Sequence, residues 1–224
     1  MGVARALAAD PPILLMDEPF SAVDPVVRED LQTEILRLQS ELKKTIVFVT
    51  HDIDEAIKLG DKVAVFGRGG VLQQYDAPAR LLSNPANDAV AGFVGADRGY
   101  RGLQFFGAAG LPLHELPHVR EAQIDALHLR PGDWMLVTRD DGTPYAWINA
   151  EGVDLHRGGS SLYDSTIAGG SLFRPDDTLR QALDAALSSP SGLGVAVDAD
   201  GQVAGGVDAD DVLAALQTQR TERA

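Results

Sequence analysis

Two short, strictly apolar runs, Ile13-Leu14-Leu15-Met16 and Ile46-Val47-Phe48-Val49, stand 33 positions apart with one amphipathic helix pattern between them. Apolar runs this short, closed by polar residues, read as strands buried on both faces. A strand, a helix and a second strand in series pair in parallel through a right-handed crossover, which makes the first part of the chain α/β. The intervening helix starts at Asp24 as N-cap with Pro25 in its first turn. Its apolar residues Leu31, Ile35, Leu38 and Leu42 recur at steps of four, three and four, one face of a helix. Upstream, Gly2 to Ala9 reads as a short helix stopped by Asp10-Pro11-Pro12. Downstream, Asp52 to Leu59 reads as an acidic-led helix, and Lys62 to Phe66 with Val71 to Tyr75 as a hairpin around Gly67-Arg68-Gly69-Gly70.

Periodicity is lost between Gly95 and Leu116, where Gly, Arg and Pro accumulate, and a domain boundary is expected there. Beyond it the chain repeats itself. Leu136-Val137-Thr138-Arg139-Asp140-Asp141-Gly142 and Val195-Ala196-Val197-Asp198-Ala199-Asp200-Gly201 both run from a strand pattern into an Asp-Gly turn, offset by 59 residues. The same offset carries Ile148 onto Val207, Glu151 onto Asp210 and Val153 onto Val212. In the second copy Asp177 is expected to cap a helix bearing Leu179, Ala182, Leu183, Ala186 and Leu187. Asp208 is expected to cap another bearing Val212, Leu213 and Leu216.

Composition excludes several functions. Nineteen Lys and Arg against 33 Asp and Glu leave a net charge of -14, which repels nucleic-acid phosphates and anionic lipid. There is no cysteine, so thiolate metal sites, disulfides and cysteine nucleophiles are impossible. No apolar run approaches the roughly 18 residues that span a bilayer, and no secretory h-region precedes Ala6-Leu7-Ala8. Direct membrane insertion and nucleic acid are therefore not expected, and the compartment is expected to be cytoplasmic.

Chemistry concentrates where the two apolar runs end. Ligands bind at the carboxyl ends of parallel strands, and there the sequence places Asp17-Glu18-Pro19 and, 33 residues after Glu18, His51. A carboxylate in that position suits a hydrated Mg²⁺, and a second can polarise a water. Ile13 to Asp24, with Ser21-Ala22-Val23-Asp24, followed by His51, resembles the distal half of an ABC-type ATPase domain. The resemblance covers about residues 1–95. It implies that Asp17 holds Mg²⁺ through water, that Glu18 polarises the attacking water, that His51 contacts the γ-phosphate, and that Asp24 lies at a nucleotide dimer interface. The family binds phosphate with a G-x-x-x-x-G-K-S/T loop, and this sequence contains none. Met1 stands where relatives have a valine of the signature helix. The expectation is a partial P-loop NTPase domain lacking its N-terminal half, from a truncated or mis-started reading frame, with ATP and Mg²⁺ used only in a full-length chain.

The downstream repeat resembles a pair of CBS motifs, giving an expected layout of 1–95 ATPase part, 96–116 linker, 117–157 degenerate first motif, 158–218 second motif and 219–224 tail. Such pairs often bind adenosyl ligands through a hydroxyl and an Asp at the start of the last helix. Here Asp208 replaces the hydroxyl, Asp211 alone fits, and Gly152 takes its place in the first copy. An ATPase domain followed by an α+β CBS pair is the arrangement of ATP-binding subunits of bacterial glycine betaine, choline, carnitine and proline importers. That resemblance implies an energy-coupling subunit, peripheral on the inner face of the plasma membrane, partnered by transmembrane permease subunits and a second ATPase subunit. The other reading is a non-enzymatic CBS regulatory or interaction protein on a remnant ATPase scaffold.

Overall fold

A computed structural model describes residues 11–42 and 44–222. The helix expected over residues 2–9 lies outside the described residues. The chain forms two compact units that divide between Gly99 and Tyr100.

The first unit is built on β1 (Ile13–Asp17), α1 (Pro25–Leu42) and β2 (Thr45–Val49). β1 and β2 pair in parallel from Ile13 opposite Thr45 to Asp17 opposite Val49. Asp24 caps α1 as the sequence indicates, its Oδ1 accepting from the Val26 N–H at 3.0 Å. The expected burial on both faces of the strands does not hold. Leu14 and Met16 are buried, whereas Leu15 is 74% and Val49 53% exposed, so one apolar face of the pair is open. The helix differs too: Leu31 is exposed and Gln32 is buried. Periodicity locates an apolar stripe but cannot say whether anything covers it. β2 leads through α2 (Ile53–Leu59) into the antiparallel hairpin of β3 (Val63–Phe66) and β4 (Leu72–Asp76). Gly69 and Gly70 turn the hairpin at φ 75° and 71°, a backbone that excludes most side chains. Two short helices follow, α3 (Pro78–Ser83) and α4 (Asp88–Val94), which bury Leu81, Leu82, Val90 and Val94.

The second unit realises the repeat. β6 (Met135–Thr138), β7 (Pro144–Ile148) and α5 (Ala150–Arg157) return 59 residues later as β9 (Gly194–Val197), β10 (Val203–Val207) and α8 (Ala209–Glu222). Even the irregularity repeats, with the pairing slipping at Tyr145 in the first hairpin and at Ala204 in the second. Each copy adds a leading strand in parallel, β5 (His118–Arg120) on β6 and β8 (Leu172–Phe173) on β9. The connection after β5 is a 3₁₀ helix over Glu121–Ala126, and after β8 it is α7 (Leu179–Ser188). Thr178, not Asp177, caps α7 in a reciprocal box with Gln181, while Asp177 closes the preceding turn on the Arg174 N–H. Leu187 and Leu213, expected on buried stripes, are exposed.

The copies are also laced crosswise. Trp147 of β7 exchanges backbone hydrogen bonds with Ile167, and Gly206 of β10, its equivalent, exchanges them with His114. Residues 96–116 are accordingly more than a connector: Leu103, Ala108, Leu111 and Leu116 are buried in the cores of this unit. Helix α8 continues through Glu222, across the expected start of a tail at 219. A short helix α6 (Leu162–Ser165), inside the expected bounds of the second motif, packs instead against α5 of the first. A Cβ on Gly152 would clash with the Ser165 carbonyl oxygen and lie 2.8 Å from Ile148 Cγ1. Gly152→Ala is therefore expected to destabilise the second unit by about 1–3 kcal/mol through overpacking, lowering its thermal midpoint by several degrees. Calorimetric scanning of the two forms checks this; equal midpoints would show that α6 moves aside freely.

Candidate functional site

The site is assembled by the β1–β2 ladder. Because Asp17 faces Val49 in register, the residues after each strand emerge side by side at the carboxyl end of the pair. The Glu18 N–H extends the ladder by donating to the Val49 carbonyl at 2.8 Å. Glu18 itself turns at φ 41°, the sole non-glycine residue with positive φ among the described residues. A left-handed glutamate costs on the order of 1–3 kcal/mol and persists only where its surroundings hold it. Here the Ser21 N–H and Oγ both donate to the Glu18 carbonyl, at 3.2 and 2.9 Å. Phe20, just beyond, is buried and tilts against Phe48 of β2 with ring centroids 5.5 Å apart. The turn is thus pinned by backbone on one side and by an aromatic anchor on the other.

Its result is contact between two of the residues singled out by sequence. His51 Nδ1 lies 2.9 Å from Glu18 Oε1. The hydrogen bond to Glu18, with the attraction of its charge, raises the His51 pKa above the ordinary histidine value. Both side chains face solvent. Asp17 is likewise exposed, one residue ahead of Glu18 at the end of β1. Asp24 sits at the head of α1 with its carboxylate committed to the helix cap. Among the described residues, no group of three or more His, Asp or Glu side chains forms a metal-holding cluster. Two neighbouring exposed carboxylates still suit a hydrated Mg²⁺, a hard ion that keeps several waters and takes few protein ligands.

Sequence reasoning missed the support under His51. Glu55 is 6% exposed, and its Oε2 accepts from the Thr50 hydroxyl at 2.6 Å. The Thr50 Oγ1 accepts in turn from the Asp52 N–H at 3.0 Å, and Asp52 caps α2. A glutamate in the first turn of a helix gives no sign in sequence that it is buried.

In the second unit Asp211 is engaged within its own fold. Its Oδ2 accepts from the Asp208 N–H at 3.3 Å and lies 2.8 Å from His114 Nε2, while Asp208 Oδ1 accepts from the Asp211 N–H at 2.8 Å. Burial opposes its charge most, yet the Asp208 N–H and His114 outweigh this and hold the carboxyl below its usual range. In the first copy Asn149 takes the cap, accepting from the Gly152 N–H at 2.9 Å, and Gly152 has no side chain to offer.

No protein-family profile matches the chain. Individual relatives do. The chain is 38% identical to the osmoprotectant import ATP-binding protein OsmV of Salmonella typhimurium, over 100% of this chain and 59% of that protein. It is 37% identical to the choline transport ATP-binding protein OpuBA of Bacillus subtilis, over 82% of this chain and 51% of that protein. With the glycine betaine/proline betaine transport system ATP-binding protein ProV of Escherichia coli it shares 50% identity over 42% of this chain. These relatives are thus ATP-binding proteins of transport systems. Their names give osmoprotectants, choline and glycine betaine or proline betaine as what is carried, and the chain spans little more than half the length of the first two. Among solved structures, Staphylococcus aureus OpuCA aligns over 48% of this chain and 97% of its own at 18% identity and a TM-score of 0.37. The CBS-pair protein CBSX2 of Arabidopsis thaliana aligns over 51% of this chain and 97% of its own at 18% identity and a TM-score of 0.36.

The His51–Glu18 pair gives a pH prediction. A raised pKa in the folded state means that the protonated pair contributes below the ordinary histidine range and is lost as pH rises through the raised value. In an NMR titration His51 is expected to titrate above about 6.5, the unperturbed value, and Glu18→Gln to return it there. Equal midpoints in the two proteins would show that the pair does not form in solution.

Proposed function

We propose that the first unit supplies the hydrolytic side of an ATP site in the energy-coupling subunit of an osmoprotectant importer. The Glu18–His51 hydrogen bond carries this reading, because it joins residues 33 positions apart at the mouth of a parallel strand pair. In this role the Glu18 carboxylate orients a water toward the γ-phosphate and takes its proton. His51 holds Glu18 in line through Nδ1 and presents the rest of its ring to the phosphate. Asp17 would hold a hydrated Mg²⁺, which when bound offsets the charge of the phosphate oxygens. The Glu18 hydrogen bond, which raises the His51 pKa, favours the charged ring beside anionic substrate. Asp24, at the head of α1, is assigned to the contact with a second ATPase subunit.

Residues 117–157 and 158–218 are assigned as two CBS motifs, on the strength of the strand, helix, strand, strand, helix order that both copies follow. The engagement of Asp211 with Asp208 and His114, and the blocking of Gly152 by Ser165, support a regulatory or assembly role over adenosyl-ligand binding. Transmembrane permease subunits would be the membrane partners, with this chain peripheral on the cytoplasmic face. Among the described residues no helix is long and apolar enough to cross a membrane.

The 224 residues contain no phosphate-cradling loop, so this chain alone is expected to show no ATP affinity in the micromolar range. A chain extended at its N-terminus with the matching segment of OsmV is expected to bind ATP and hydrolyse it. Titration calorimetry and phosphate release on both test the reading. Tight ATP binding by the 224-residue chain would overturn the phosphate-loop argument. A folded, ATP-binding extended chain without hydrolysis would overturn the assignment of Glu18 and His51 and leave the regulatory scaffold.

A further inference from the structure

A buried carboxylate needs a reason, since removing it from water costs several kcal/mol unless hydrogen bonds repay it. Glu55 is such a group, and the reading above gives it no task. Its environment forms a closed cycle. The Thr50 hydroxyl donates to Glu55 Oε2 at 2.6 Å, the Asp52 N–H donates to Thr50 Oγ1 at 3.0 Å, and the Glu55 N–H donates to Asp52 Oδ1 at 3.4 Å. The Asp54 N–H shares the same Asp52 oxygen at 2.8 Å. Every member of the cycle flanks His51, and among the described residues none of its hydrogen bonds reaches the His51 ring, although the Asp52 and Glu55 charges act on it. The chain between Val49, the last ladder residue, and α2 is thereby fixed on both sides of the histidine.

His51 itself needs such support. Its side chain is 75% exposed and meets Glu18 through a single hydrogen bond. An exposed imidazole on a mobile loop would spend its rotamer freedom in water, because one surface contact rarely outweighs that entropy. Fixing the Cα of His51 removes most of the freedom before the contact forms.

We propose that Glu55 is a positioning residue, which acts through the Thr50 hydroxyl to fix the backbone that presents His51 to Glu18. The proposal rests on the hydrolytic reading of Glu18 and His51 for its purpose, while the geometry it asserts can be measured without nucleotide. A carboxylate is well chosen for the task. It accepts strongly from a hydroxyl, and its place in the first turn of α2 is favoured by the helix dipole. Cutting the cycle is expected to free the Thr50–Asp52 backbone and let His51 leave Glu18.

The experiment is ¹⁵N NMR of the His51 ring in the 224-residue chain, at a pH where the imidazole is neutral. Paired with the Glu18 carboxylate, the ring is held with its proton on Nδ1; unpaired, it relaxes to the Nε2-protonated form that water favours. Glu55→Ala is expected to shift the ring from the first tautomer toward the second, by a change of several-fold in their ratio. Glu55→Gln, which keeps an acceptor for Thr50, is expected to retain the wild-type signature. The backbone amides of the β1–β2 ladder, in the same unit as Glu55, give the internal reference for an intact fold. A folded Glu55→Ala chain with the wild-type His51 signature overturns the proposal. So does a Glu55→Gln chain that behaves like Glu55→Ala, because charge and not the hydrogen bond would then be responsible. Should Glu55→Ala fail to fold, Thr50→Val and Thr50→Ser decide. Loss of the signature in the first with retention in the second supports the relay, and retention in both overturns it. None of these outcomes depends on ATP, so failure of the hydrolytic reading leaves a distinct result.

Discussion

The five-residue parallel ladder between β1 and β2 is the constraint on which the rest of the first unit depends. Parallel strands cannot be joined by a tight turn, so the chain must leave Asp17, run the length of α1 and come back. The return places the end of β2 beside the end of β1, and with it His51 beside Glu18. A slip of one residue would turn every side chain of one strand to the other face, exposing Leu14 and Met16 and burying Leu15. The Glu18 N–H to Val49 bond sets the last rung. It also fixes where the chain departs into the strained φ of Glu18, so register, strain and the His51 contact are one arrangement.

The second unit follows a different logic. Two copies of one small unit keep their strands, their Asp-Gly turns and their hairpin irregularity in step over 59 residues, yet they diverge at the head of the last helix. In the second copy Asp208 and Asp211 cap each other and His114 completes the Asp211 contacts. In the first, Asn149 caps alone, because the Ser165 carbonyl occupies the space that a side chain at 152 would need. An Asp at that position would clash with the Ser165 carbonyl that α6 places there. Both heads are turned inward, toward their own fold.

Much of this was legible in residue order. Asp24-Pro25 and Asp52 marked helix starts, the glycine run marked the hairpin, and the offset of 59 named equivalent strands residue by residue. The spacing from Glu18 to His51 indicated a shared strand mouth, which is where the two side chains meet. What sequence could not show is what depends on three-dimensional neighbours. Ile13, Leu15, Val47 and Val49 read as core and are exposed, because apolar periodicity reports a face without reporting its cover. Gln32 and Glu55 are polar residues with no sequence sign of burial, and both are buried. Residues 96–116 read as a linker by composition, yet Leu103, Ala108 and Leu111 are buried, because an irregular segment can pack as tightly as a helix. The left-handed turn at Glu18 had no signal, since glutamate rarely adopts it.

Glu18, held by strand register and paired with His51, is the group we propose to orient the hydrolytic water. Glu18→Gln keeps the size of the side chain and its capacity to hydrogen bond but removes the charge that accepts a proton. In a chain extended to bind ATP, the hydrolytic kcat of the Glu18→Gln protein is expected to fall by about two orders of magnitude or more, with ATP affinity unchanged within about threefold. Near-normal turnover by the Glu18→Gln protein, with ATP bound as tightly as before, would contradict it.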